Sequence, residues 1–225
     1  MCRAVRPRSG SDGGGPPEDP PARRCPRLWG AYRTPPQKSS SLGDPPSAQL
    51  PSPLKPADKV RLYDERVRGF QLDIAQQMLG VDATGNSRNP WAGFASLAVV
   101  FSYFEAYEQH RSGVSTEKGC SGRAFQCGVL DVFPRLVATG EQLDALWKRL
   151  RCGQSHCGNP KGGIVIGPGY QDPLEYAAAD DTWYINPEKL IVALQEHHKQ
   201  YVSTLVSPSP ALTRFEKIFD KNWRP

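Results

Sequence analysis

Twelve of the 22 prolines and six of the 21 glycines fall in residues 1–55. Gly13-Gly14-Gly15-Pro16-Pro17, Pro35-Pro36 and Pro45-Pro46 are incompatible with helix and with β-ladder alike. Few apolar side chains are present there to offset the entropy of ordering a chain. This break divides the sequence into a low-complexity tail (1–55) and a region of ordinary globular composition (56–225). Two readings of the tail stay open: a disordered Pro/Gly/Ser-rich segment, or residues translated from upstream of the true start. The second region is long enough to bury a core without disulfides or metals.

The charge divides at the same place. Residues 1–55 carry nine Lys/Arg against four Asp/Glu, which accounts for the whole net charge of +5. Residues 56–225 carry 19 of each sign. The basic sequence pI therefore belongs to the tail and is no evidence that the folded region is a basic nucleic-acid binder. The longest apolar stretch, Phe94–Phe104, is too short for a bilayer. The start Met1-Cys2-Arg3-Ala4-Val5-Arg6 has no apolar signal core. These features point to a cytoplasmic protein that makes no membrane contact. Cysteines 2, 25, 120, 127, 152 and 157 are then expected as free thiols.

Helical periodicity dominates residues 56–225. Leu62, Val67, Phe70, Ile74 and Met78 predict one buried face of a helix over about 57–79, with Gly80 as its stop. Trp91, Phe94, Leu97, Ala98, Phe101 and Phe104 predict a central helix over 90–111, opened by Pro90. Further helices are expected over 122–133 (Phe125, Val129 and Phe133 inward), 140–152 (Leu143, Leu146, Trp147 and Leu150 inward), 187–205 and 211–219. Asn186-Pro187-Glu188 is a strong helix start. Gly163–Gly167 and Asp181–Ile185 read as the two strands of a hairpin with a long loop. The expected fold is mainly α: a bundle of five to six helices with a small inserted β-hairpin.

Nucleotide-binding glycine loops, H-E-x-x-H and G-x-S-x-G are absent from the sequence. The end of the 140–152 helix stands out instead. Arg149, Arg151 and His156 put two guanidinium groups and an imidazole close together in the sequence. Arginine holds phosphate through a planar fork of donors, and histidine moves protons near neutral pH. On an unbroken helix, Arg149 shares a face with His156 and Arg151 does not. The alternative is that both arginines are solvated helix-end residues and His156 a loop residue bonded to a carbonyl.

Arg151-Cys152-Gly153-Gln154-Ser155-His156 resembles the R-C-G-x-x-H form of the R-x(4–6)-H motif found in HEPN domains of prokaryotes. The resemblance covers about residues 58–220. It implies a metal-independent endoribonuclease without cofactors, working as a homodimer on RNA. Arg151 would bind the scissile phosphate and His156 would act as general base or acid, with Arg149 as the alternative motif arginine. Glu105, beside the aromatic face of the central helix, would be the acidic residue that orients His156 or pairs with an arginine; a solvated flanking role is the alternative. Active members often carry Asn, Asp or His directly after the arginine, where Cys152 stands here. Other members have lost catalysis and serve as antitoxin-type or interaction modules, and a protein partner such as an antitoxin is a further expectation. The neutral charge of residues 56–225 suits that non-catalytic dimerisation or interaction role.

Two metal readings are weak. Cys120-x6-Cys127 is too wide for a zinc pair, and Cys152-x4-Cys157 only just fits. His197-His198 has no carboxylate or cysteine at the next helical position and reads as a surface pair. No metal site is expected.

Overall fold

The computed structural model describes residues 54–80, 89–116, 119–152 and 162–222. Residues 1–53 of the tail and the residues from Gly153 to Lys161 lie outside the described residues, as do the side chains of Arg151 and Cys152. Among the described residues the protein is six helices with one three-stranded sheet, so the mainly helical expectation holds.

Helix α1 (residues 56–79) begins with Pro56 at its first position, where a missing N–H costs nothing. It ends at Gly80, whose left-handed backbone (φ 59°) lets its N–H close onto the carbonyls of Gln76 and Gln77. Its middle, Glu65–Leu72, winds as a π-helix. This corrects the expected face. The buried apolar positions are Val60, Tyr63, Val67, Leu72, Ala75 and Leu79, with a five-residue step across the π segment. Bonding from i to i+5 takes up one extra residue and turns everything after Val67 by one position. Leu72 and Ala75 therefore point inward, and Phe70 (74% exposed) and Ile74 point outward.

Helix α2 (residues 93–112) follows a 3₁₀ turn, Pro90–Ala92, and bends at Phe101 between Gly93–Val100 and Ser102–Ser112. Leu97, Val100, Phe101, Tyr103, Phe104 and Tyr107 are buried. Trp91 is not core as expected, because it sits in the lead-in turn at 91% exposure. Helix α3 (Ser121–Val132) crosses α2 with Phe125 between Phe101 and Phe104. Helix α4 (residues 140–152) opens with a capping box: the Gln142 N–H donates to the Thr139 hydroxyl, and the Thr139 N–H to Gln142 Oε1. Its last turn and a half, Trp147–Cys152, is again π-wound. Helix α5 (Pro187–Thr204) starts from Asn186, whose Oδ1 accepts the Lys189 N–H while its Nδ2 donates to the carbonyls of Pro168 and Tyr170. Helix α6 (Pro210–Asn222) packs Leu212, Phe215 and Phe219 into the core.

The sheet comprises β1 (Ile164–Ile166), β2 (Leu174–Ala177) and β3 (Thr182–Ile185), in the order β1-β3-β2. The two expected strands do pair, but in parallel, with Ile164 opposite Trp183. They form no hairpin. The hairpin is β2–β3, antiparallel, with Leu174 opposite Ile185. Leu-Glu-Tyr-Ala is short and buries only Leu174, so its period-two signal is too weak to read. β3 sends Trp183 and Ile185 into the helical core.

Candidate functional site

The end of α4 is held by three buried leucines, Leu143, Leu146 and Leu150, spaced for one helical face. Arg149 emerges beside them. Its Nη1 donates to the Asp181 carbonyl at 2.9 Å and its Nη2 to the Asp181 carboxylate at 2.5 Å. The Tyr176 hydroxyl donates to the other carboxylate oxygen, Oδ1, at 2.9 Å. The Arg149 guanidinium, and then the Tyr176 hydroxyl, hold the Asp181 carboxyl below the usual carboxylate range. Asp181 itself adopts a left-handed backbone (φ 51°) at the turn between β2 and β3, a conformation Asp tolerates better than most residues.

Arg149 also lies over Gly163, whose φ is +80°. A Cβ at Gly163 would stand 2.4 Å from Arg149 Nη1 and 2.9 Å from the Asp181 carbonyl. One guanidinium thus joins the end of α4 to the residue just before β1. The chain between them carries the R-C-G-Q-S-H motif. Of the expected site residues, Arg149 is a clasp. Arg151 lies in the last turn of α4 with its side chain outside the described residues, and His156 lies wholly outside them. The π-winding of Trp147–Cys152 also removes the regular 3.6-residue spacing on which the face shared by Arg149 and His156 rested.

Glu105 is buried at 8% exposure, further inside α2 than a flanking residue would be. Its Oε1 accepts the Thr116 hydroxyl at 2.9 Å, which ties α2 to the chain beyond Gly113. Arg149 and Glu105 have different partners, Asp181 and Thr116. Of the cysteines, Cys120 is exposed and Cys127 half-buried, both as free thiols. Among the described residues, no three His, Cys, Asp or Glu side chains are placed to hold a metal ion.

The cluster that sequence reasoning missed lies between α2, α3 and α5. His197 and His198 are not a surface pair: His198 is 2% exposed, and His197 stands edge-on to Tyr103 and Tyr107. His197 Nδ1 and the Tyr103 hydroxyl hydrogen-bond at 2.8 Å, and His197 Nε2 lies 3.6 Å from the Asp131 carboxylate. The Tyr107 hydroxyl donates to the same carboxylate. His198 Nε2 meets Asp64 at 3.1 Å, and His110 Nδ1 donates to the Ala106 carbonyl at 2.8 Å. Burial pulls all three imidazoles below the usual histidine range; Asp131 and Asp64 only partly offset this for His197 and His198. The Tyr103–His197 hydrogen bond and the contacts of Tyr107 and His197 with Asp131 tie α2, α3 and α5 together. The cluster's sequence signal was the spacing of Tyr103, Tyr107 and His110, which is a polar-tipped aromatic stripe on one helical face.

No helix among the described residues is long and apolar enough to cross a membrane. Comparison with family models, with curated proteins and with solved structures finds no match to this chain.

Proposed function

We propose that this chain is a HEPN-like protein that cleaves RNA without a metal. Arg151 binds the scissile phosphate and His156 moves the proton. The neighbouring 2′-hydroxyl attacks phosphorus and the bond to the 5′-oxygen breaks. His156 takes the 2′-hydroxyl proton or delivers one to the departing oxygen. The products are a 2′,3′-cyclic phosphate and a 5′-hydroxyl. A homodimer would set the Arg and His of two protomers on one cleft.

The observation that supports this reading is the Arg149 clasp. Arg149 bonds Asp181 and packs on Gly163, so the motif-bearing segment springs from two backbone points held together by one side chain. Fixing the ends of a segment lowers the entropy of holding its side chains in a working geometry. It also gives Arg149 a structural task, which favours Arg151 as the phosphate ligand.

The test is cleavage of a single-stranded RNA in EDTA by the full chain and its His156→Ala and Arg151→Ala variants. Activity in the parent that is lost in both variants supports the proposal. Activity that survives His156→Ala defeats it.

A second reading is a non-catalytic dimerisation or interaction module. Phe70 and Ile74, four residues apart on one face of α1, are both exposed and favour it. RNA left intact by a folded parent, together with self-association that Phe70→Ser abolishes, would support this reading instead.

A further inference from the structure

A groove of about 580 Å³ separates the chain linking α3 to α4, Phe133–Val137, from the outer edge of β2. β2 is an end strand of the sheet, and among the described residues it is paired with β3 alone. Bonded and non-bonded pairs alternate along an antiparallel ladder. The Asn186 N–H donates to the Pro173 carbonyl, and the register sets Glu175 opposite Tyr184 and Ala177 opposite Thr182. These are therefore the bonded pairs. The N–H and C=O groups of Leu174 and Tyr176 point away from β3, toward the groove. No backbone group of the described residues bonds to them. Across the groove, Val137 likewise bonds no described backbone group, and its side chain is 89% exposed. An unpaired strand edge beside an apolar wall is a template for another strand.

Charge narrows the occupant. Asp172 and Glu175 stand on the β2 side and Arg135 opposite, all exposed, which leaves the groove acidic by one charge. A second copy of the same edge is a poor fit. Paired strands lie about 4.8 Å apart, and each copy's own Phe133–Val137 wall would stand between the two edges.

We propose that this groove binds an extended peptide that adds as a fourth strand beside β2. Its backbone pairs with Leu174 and Tyr176, its apolar side chains lie against Val137 and Leu136, and a Lys or Arg side chain meets Asp172 and Glu175. This site is separate from the Arg151–His156 motif and does not depend on it.

The test uses the ¹⁵N-labelled full chain and three capped peptides: Ac-Val-Lys-Val-Thr-NH₂, its Glu counterpart, and the Lys peptide with N-methylated backbone amides. The Lys peptide should shift the amide signals of Leu174, Tyr176 and Val137. The Glu peptide should bind roughly tenfold more weakly, a difference of about 1.4 kcal/mol. In a Glu175→Lys variant with an unchanged helical spectrum, the order of the two peptides should reverse. Equal binding by the N-methylated peptide, no shift at those amides at millimolar Lys peptide, or an unchanged order in Glu175→Lys would each overturn the proposal. So would protection of the β2 amides by self-association alone, which would assign the edge to a second copy.

Discussion

The carbonyl oxygen of Phe104 lies 2.2 Å from the point where a Cβ on Gly128 would stand. The backbones of α2 and α3 approach so closely at these two residues that only a glycine permits it. The Phe104 α-carbon and carbonyl carbon lie at 3.1 and 2.8 Å from the same point, so no rotamer change relieves the contact. Gly128→Ala should push the helices apart and cost about 3 kcal/mol or more, the upper range for overpacking. The urea midpoint measures this. An unfolding free energy within about 0.5 kcal/mol of the parent's, which would rank the change with neutral surface substitutions, would show that α3 does not sit here.

The π-winding of α1 makes opposite forecasts for two neighbours. Leu72 is fully buried and Phe70 exposed, though plain helical spacing favours the phenylalanine. Leu72→Ala should cost about 2–5 kcal/mol. Phe70→Ala should change stability by no more than about 0.5 kcal/mol. The reverse order in thermal or chemical unfolding would mean that α1 is α-wound throughout.

The buried histidines set a pH dependence. His110, His197 and His198 have folded-state pKa values lowered by burial, so the unfolded chain binds their protons first on acidification. Below about pH 6.5, the unperturbed histidine value, stability should fall as pH falls, and it should level off once the folded-state values are passed. Each group contributes a slope of at most about 1.4 kcal/mol per pH unit. His110 has no carboxylate among its bonding partners and should contribute most plainly. Unfolding free energies of the parent and His110→Gln between pH 7.5 and 5 measure it. A parent profile flat across that range would rule out neutral, buried imidazoles.

Gly163 and Arg149 should be coupled. Gly163→Ala meets three obstacles: a left-handed backbone, the guanidinium 2.4 Å from its new Cβ, and the Asp181 carbonyl at 2.9 Å, which stays in either background. The backbone obstacle costs about 1–2 kcal/mol by itself. In an Arg149→Ala background the guanidinium is gone, so the same change should cost less than in the parent. A double-mutant cycle in urea reads the difference. Strict additivity would mean that the guanidinium does not rest on Gly163. In the RNA assay, the proposed function predicts that Arg149→Ala lowers turnover without abolishing it.

The helices were legible because their signals are local: the start at Asn186-Pro187-Glu188, the stop at Gly80, and apolar spacing between boundaries. What failed had a non-local cause. The inward face of α1 turned on a π segment, which no single residue announces. β2 was invisible because its partner, β3, supplies its hydrogen bonds and most of its meaning. The histidine pair was read as surface because the residues that bury it come from α1 and α2, far away in sequence. Of the candidate site, Arg149 was found but its partner was not. Asp181 lies 32 residues on, in a turn whose position only the sheet defines.

The π stretch Glu65–Leu72 also bears on how α1 could vary in length. Its two ends are each locked to the core, Val60 and Tyr63 on one side and Leu72 and Leu79 on the other. Between them the chain holds one residue more than ordinary α winding would use. A one-residue deletion normally throws half of a helix out of phase. A deletion between Arg68 and Gln71 would instead let this helix relax to regular winding with both locked faces still pointing inward. α1 thus contains its own slack, at a defined place, and can absorb a change in length that a regularly wound helix would have to pass on to the core.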